Sequence, residues 1–242
     1  MESEMRKQED NDIQQFILNL PELQENVKMA GFGDYFNEEL AREVLSGKEL
    51  FALSQSLQID KDKMDYKMDI RIDKVKKKGY LNDMYAILIE ESGEMRSQQF
   101  PRFLRITAKE AYNLLKWGIS SGVEKSLFNR EGVKYRSFIT LDITSEKDLY
   151  GSYPLLQYHE NYYREPFTIQ GELRKLPVEI REAKEDVERL IASLKRGNMT
   201  AVTAVVGGVE QSAFLSVNAK AGRLDLRGAN LELMDPAHFG AG

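Results

Sequence analysis

Met64-Asp65-Tyr66-Lys67-Met68-Asp69-Ile70-Arg71-Ile72-Asp73 is the stretch whose reading decides the fold. Its apolar residues occupy every second position and charged residues fill the gaps, the period of a β-strand with one buried face and one wet face. A break follows at Lys76-Lys77-Lys78-Gly79. A second apolar run (Met84, Tyr85, Ala86, Ile87, Leu88, Ile89) then lies within Tyr80 to Glu90, and Glu91-Ser92-Gly93-Glu94 reads as another turn. Met64 to Gln99 is therefore expected to be an antiparallel meander that serves as a scaffold.

Working outward, residues 1–12 are dense in Glu, Lys, Gln and Asp without periodicity and are expected to be disordered. Ile13, Phe16, Ile17 and Leu20 recur at helical spacing up to Pro21, which ends that helix or opens the next. Leu23 and Val27 extend the stripe toward a stop at Gly31. A further helix is expected from Asn37, as its cap, through Glu38 and Glu39 to Leu45, closed by Gly47. Phe51, Leu53 and Leu57 suggest a strand entering the meander. Beyond Phe100-Pro101, Thr107-Ala108-Lys109-Glu110 is a capping box that opens a helix with Ala111, Leu114, Leu115 and Trp117 as its buried stripe. Lys134 to Ile143 alternates as a strand, and Tyr150 to Arg164 reads as a loop rich in aromatics. Glu182 to Lys195 is an amphipathic helix through Ala183, Val187, Leu190, Ile191 and Leu194. Three short strands complete the chain: Met199 to Val206, Ser212 to Asn218 after a Gly207-Gly208 turn, and Arg223 to Leu226. Arg42 to Lys48 leading into Phe51-Ala52-Leu53 echoes Ala192 to Asn198 leading into Val202-Thr203-Ala204, both as helix, glycine, strand.

The expected class is α+β: antiparallel meanders with helices on one face and a small N-terminal helical part. The organisation reads as a disordered 1–12, a helical segment 13–58, a central α+β region 59–165, a helix with a three-stranded region 166–235, and a flexible tail 236–242.

The chain has 242 residues, 42% hydrophobic and 30% charged, values ordinary for a globular protein with a sizeable core. No apolar run approaches the roughly 18 residues that span a bilayer. Met1 to Gln15 lacks the basic start and apolar centre of a signal peptide. A cytoplasmic location without a membrane partner is therefore expected. With no cysteine and only His159 and His238, neither thiolate chemistry nor a zinc site is expected, nor any other cofactor. A net charge of -5 argues against a protein that grips nucleic acid by phosphate neutralisation. Locally, Asp60 to Lys78 carries eight basic against five acidic residues, so Lys76, Lys77 and Lys78 form a candidate anion contact.

No motif names a reaction. Gly118-Ile119-Ser120-Ser121-Gly122 matches the nucleophile-elbow string, and Asp142, Asp148 and His159 follow in hydrolase order, but a helix precedes the string where a strand is needed. Asp60-Lys61-Asp62 lacks the glycine and glutamate of a calcium loop, and no phosphate-binding glycine loop occurs. Leu226 to Leu231 could form only one unit of a pentapeptide repeat. The most unusual stretch is Gln157-Tyr158-His159-Glu160-Asn161-Tyr162-Tyr163-Arg164. It gathers an imidazole, a carboxylate, three phenols and a guanidinium, the groups that a recognition pocket or acid-base site uses. Tyr158, His159, Glu160, Tyr162, Tyr163 and Arg164 are its candidate binding residues; none is assigned to catalysis.

The same stretch (QYHENY, Gln157 to Tyr162), together with TAKEAYNLL (Thr107 to Leu115), Lys134-Tyr135, Leu141-Asp142 and Ser193 to Asn198, resembles an uncharacterised bacterial domain-of-unknown-function family. The resemblance runs from Gly31-Phe32-Gly33 to about Leu226. Its members are often encoded near conjugative or other mobile elements, which implies a context and no activity. Where a Gly-Arg pair follows the Leu-Leu of that helix in the family, this chain has Trp117-Gly118-Ile119-Ser120, so no role of that arginine carries over.

Three functions are compatible with these features. The first is a non-enzymatic accessory protein that binds a protein partner through a sheet edge or the aromatic loop. The second is nucleic-acid association through the lysine turn and stacked tyrosines. The third is a hydrolase built on Ser120 or His159.

Overall fold

The computed structural model describes residues 4, 5, 7, 19–176, 179–180, 184–206 and 208–234. Of the stretch expected to be disordered, only 4, 5 and 7 are among them, and these are helical. Ile13, Phe16, Ile17, Glu182, Ala183, Gly207 and residues 236–242 lie outside the described residues. The chain is α+β, with antiparallel sheets and interspersed helices. It divides into two compact units, Met1–Tyr112 and Asn113–Gly242. The expected boundary at 58/59 would cut through a hairpin, and the one at 165/166 falls inside the second unit.

In the first unit, helix α1 covers residues 19–27 and ends in a π-turn, Lys28–Phe32, kinked at Gly31; helix α2 is Asn37–Leu45. Asn37 does not cap α2. Phe36 holds the cap position, and the Asn37 amide donates to Asp34 instead. The meander is β1 (Leu50–Ile59), β2 (Asp62–Asp73), β3 (Lys78–Ile89) and β4 (Met95–Phe100), paired in chain order. Met64, Tyr66, Met68, Ile70 and Ile72 are all buried, as their alternation requires. Leu23 of α1 lies against Ile72 and Gly79, and the Phe32 ring meets Tyr66 edge-on. On the wet face, Lys63 pairs with Asp65 and Lys67 with Asp69, so the alternating charges largely neutralise one another. The register shifts between Met68 and Ile70, leaving Asn82 and Asp83 of β3 opposite Asp69. That bulge presents Asp83 to the Gln99 amide and the Arg102 N–H.

Helix α3 (Ala108–Trp117) starts with the expected capping box. The Thr107 N–H donates to Glu110 Oε2 at 2.8 Å, and the Glu110 N–H donates to Thr107 Oγ1 at 3.4 Å. Ala111, Leu114 and Leu115 are fully buried, whereas Trp117 is half-buried.

The second unit contains β5 (Val123–Phe128), β6 (Lys134–Leu141) and β7 (Leu155–His159) as one meander. Helices α4 (Ile169–Leu173) and α5 (Lys184–Lys195) follow. Strands β8 (Glu179–Ile180), β9 (Thr200–Val206), β10 (Val209–Asn218) and β11 (Arg223–Arg227) then form a second meander. Sequence reading missed β5, and it assigned Leu155–His159 to a loop where the structure has a strand paired with β6. The core joins Phe138 and Tyr158 to Leu190 and Leu194 of α5 and to Val202, Ala204, Leu215 and Val217.

The echoed stretches share one geometry. Gly47 ends α2 at φ 75° and Gly197 follows α5 at φ 73°, each donating its N–H to the carbonyl three residues back. A third instance, absent from the sequence reading, is α3, Gly118 at φ 56°, then β5. Helix, left-handed glycine and strands of a meander thus recur three times among the described residues.

Candidate functional site

The aromatic stretch separates into inward and outward residues. Tyr158 lies opposite Phe138 in the ladder and is buried in the core. From it an edge-to-face chain of rings runs to Tyr162 (5.1 Å between centroids), Tyr163 (5.2 Å) and Phe167 (5.1 Å). Phe167 in turn packs on Phe138 at 4.8 Å. The Tyr163 hydroxyl donates to the Ala219 carbonyl at 2.7 Å, tying the stretch to the turn after β10. Burial pushes the Tyr158 and Tyr163 phenols above the usual range, so both remain neutral. These two phenols are committed to packing.

His159 ends β7 with its ring stacked on Tyr135 at 4.8 Å. Its Nδ1 accepts the Asn161 N–H at 3.1 Å and so caps the 3-10 turn Glu160–Tyr162. Tyr135 accepts from the Gln157 amide at 3.1 Å. Glu160, Tyr162 and Arg164 are exposed. The stretch therefore presents a stacked His159–Tyr135 face and one exposed phenol. In the first unit, Lys78 pairs with Glu22 at 2.7 Å and the neighbouring Lys74 with Glu49 at 2.9 Å, while the Asp73 carboxylate accepts the Val75 and Lys76 N–H groups. The lysine turn is in part charge-compensated, and the Lys77 carbonyl accepts from Asn19.

Ser120 sits in a 3-10 turn between α3 and β5, the reverse of the strand-to-helix order of a nucleophile elbow. The glycines of that string have packing reasons: Gly118 takes a positive φ, and the Ala219 Cβ approaches to within 2.8 Å of where a Gly122 Cβ would stand. Buried acids have structural partners. Asp62 accepts from the Tyr112 hydroxyl at 3.0 Å and the Glu91 N–H at 3.2 Å, and Asp225 accepts from Asn218 and Arg223. Among the described residues no group of three or more His, Asp or Glu is placed to hold a metal ion. No described helix is long and apolar enough to cross a membrane.

Sequence reasoning named Asp142 and Asp148 only in hydrolase order and Tyr150 only as the start of an aromatic loop, and missed how the loop between β6 and β7 is anchored. The Asp142 carboxylate accepts four hydrogen bonds, from the N–H and hydroxyl of Thr144 (3.1 and 2.6 Å) and of Ser145 (3.2 and 2.8 Å). Asp148 Oδ1 accepts the Tyr150 and Ser152 N–H groups, both at 2.9 Å. Inside the second of these Asx-type turns Leu149 and Tyr150 stand 101% and 91% exposed. The available signal was the pair Asp-x-Thr-Ser and Asp-x-x-Gly-Ser, two carboxylate turn motifs of which the second encloses an apolar pair.

Next to this loop, β7 has no strand on its outer side among the described residues. The Asp142 N–H donates to the Pro154 carbonyl, which fixes the ladder's alternation. Leu155, Gln157 and His159 consequently direct their main-chain groups away from β6.

The hydrogen bonds from Thr144 and then Ser145 hold the Asp142 carboxyl below the usual carboxylate range. A depressed folded value means the loop anchor is fully present above the ordinary value of about 4 and is lost as pH falls through the depressed one. Amide exchange at Thr144 and Ser145 is therefore expected to accelerate on acidification below about pH 4, beyond the intrinsic pH trend. In Asp142→Asn that extra acceleration should be absent.

Comparisons with protein-family models, with curated proteins and with solved structures give no match.

Proposed function

We propose that the chain is a cytoplasmic, non-enzymatic accessory protein of a mobile genetic element. It acts by binding a protein partner at the β6–β7 end of the second unit. The observation that carries the reading is the pinned loop Asp142 to Pro154, which holds Leu149 and Tyr150 almost wholly in solvent. Apolar and aromatic side chains displayed on a pre-ordered loop lose little conformational entropy on binding, which is how interaction hot spots gain affinity. The open edge of β7 adds a row of main-chain donors and acceptors beside them, suited to an extended segment of the partner. The mobile-element context rests on the family resemblance of Gln157 to Tyr162 and Thr107 to Leu115, and the cytoplasmic location on the cysteine-free composition, which suits a reducing compartment. The non-enzymatic reading is supported by the structural engagement of Asp62, Asp225, Tyr158 and Tyr163.

The test is affinity capture from the host lysate with the intact chain and with Leu149→Ser/Tyr150→Ser. A protein retained by the intact chain and reduced at least about tenfold by the double variant, at unchanged thermal melting, is the expected result. Equal retention by both, or no protein above the bead control, overturns the reading.

A further inference from the structure

Strand β1 lies at the edge of the first sheet, and its ten residues, Leu-Phe-Ala-Leu-Ser-Gln-Ser-Leu-Gln-Ile, include no charge, proline or glycine. Exposed edges are ordinarily blunted by lysines, prolines, bulges or brevity, because unpaired main-chain groups recruit other strands. β1 has none of these devices and is the longest edge strand among the described residues.

The ladder shows which groups are free. Ile59 and Asp62 flank a two-residue turn, and the Glu49 carbonyl accepts the Ile72 N–H at 2.7 Å. Odd-numbered residues therefore bond to β2, and Leu50, Ala52, Ser54, Ser56 and Gln58 direct their N–H and C=O groups to the open side. On the core-facing side, Leu53 is fully buried while Phe51, Gln55, Leu57 and Ile59 are only half-buried. The apolar row that β2 buries completely thus stops short at β1. At the centre of that row, Gln55 Oε1 is shut from solvent and accepts no hydrogen bond.

We propose that two copies of the chain join antiparallel along β1 about a two-fold axis at Gln55, converting two four-stranded sheets into one of eight strands. In that register Leu53 meets the partner's Leu57, Phe51 meets the partner's Ile59, and Ser54 meets the partner's Ser56. The even-numbered residues form the hydrogen-bonded pairs, as their free groups require. Gln55 meets the partner's Gln55 in a non-hydrogen-bonded pair, where side chains approach most closely. Turning each amide about its last side-chain bond lets it donate to the other and accept in return, giving Gln55 Oε1 a donor. A two-fold interface sets each residue of one strand against the same strand of the other copy, so unlike charges could balance only at particular spacings. A strand with no charge meets no repulsion. That is the property which favours a second copy over the charged strand of another protein.

The chain has no cysteine, so single substitutions report the register directly. Under a mild copper(II) oxidant Gln55→Cys is expected to become a disulfide-linked dimer, while Ala52→Cys, set opposite the partner's Gln58, remains unlinked. Sedimentation of the intact chain should give twice the monomer mass at rising concentration. Ser54→Pro, which removes an outward N–H and leaves the β1–β2 ladder intact, should restore the monomer. If that variant does not fold, Ser54→Lys/Ser56→Lys opposes lysines across the interface and should do the same. A monomer at all concentrations, a dimer that survives both variants, or cross-linking of Ala52→Cys as fast as Gln55→Cys overturns the proposal.

Discussion

Phe138→Ala should cost about 3–5 kcal/mol of unfolding free energy, measured by denaturant titration. Phe138 is 1% exposed and stands on β6 with Tyr158 opposite it on β7 and Phe167 packed on its ring. Removing the ring takes away transfer free energy, and it also leaves a void between β6 and Phe167, which packs on the Phe138 ring. A domain's whole stability is about 5–15 kcal/mol, so a large share of the margin is at stake. Phe138→Leu keeps most of the volume and should cost only about 1–2 kcal/mol. Near-equal losses for the two variants would mean that the site collapses freely, against the packing described.

Gly118→Ala is the second large effect, about 3 kcal/mol. Gly118 takes φ 56°, which alone penalises a side chain by about 1–2 kcal/mol. A Cβ there would also stand 2.7 Å from Ile143 Cγ1 and 3.0 Å from the Leu141 carbonyl oxygen. The side chain of Ile143 can turn away, whereas the carbonyl is fixed in β6. Gly47 supplies the control, with φ 75° and open space around it, so Gly47→Ala should show the conformational penalty alone, about 1 kcal/mol. Thermal melting of both variants separates the two contributions. Equal shifts would remove the steric part of the argument.

The meander could be read from β2 because one face of that strand is dry and the other wet, which writes a two-residue period into the sequence. β5 carries no such record, since only Val123 and Leu127 of its six residues are buried and Glu124 is turned to an ion pair with Lys195. β6 is buried on both faces at its C-terminal end, which erases alternation. β7 was hidden for a chemical reason: tyrosine and histidine serve a core and a surface equally well, so Leu-Leu-Gln-Tyr-His has no polarity pattern. The cap of α2 failed because the helix starts one residue early: the Phe36 carbonyl already accepts the Leu40 N–H, which places Asn37 inside the first turn. Of the candidate residues, the sequence listed the chemical groups at Tyr158 to Arg164. It could not say which phenols point inward, because that depends on a strand pairing with residues some twenty positions away. Leu149 was passed over, and Tyr150 noted only as the start of an aromatic loop, because an apolar pair in a loop looks unremarkable until the turn around it is seen to be hydrogen-bonded in place.

All strand pairings of the three meanders join consecutive strands. During synthesis this order lets each hairpin close as soon as its second strand leaves the ribosome, without waiting for a distant segment. The loop-closure entropy paid at most steps is that of a short turn; the longer closures are β6–β7, across the anchored loop Asp142 to Pro154, and β8–β9, across α5. Unpaired edges of a half-made sheet are thus exposed only briefly, which limits the aggregation that long-range β-topologies risk while they wait. The uncharged β1 is the first strand of its meander and is matched by β2 after only two residues, so the nascent chain covers one side of its stickiest strand almost at once.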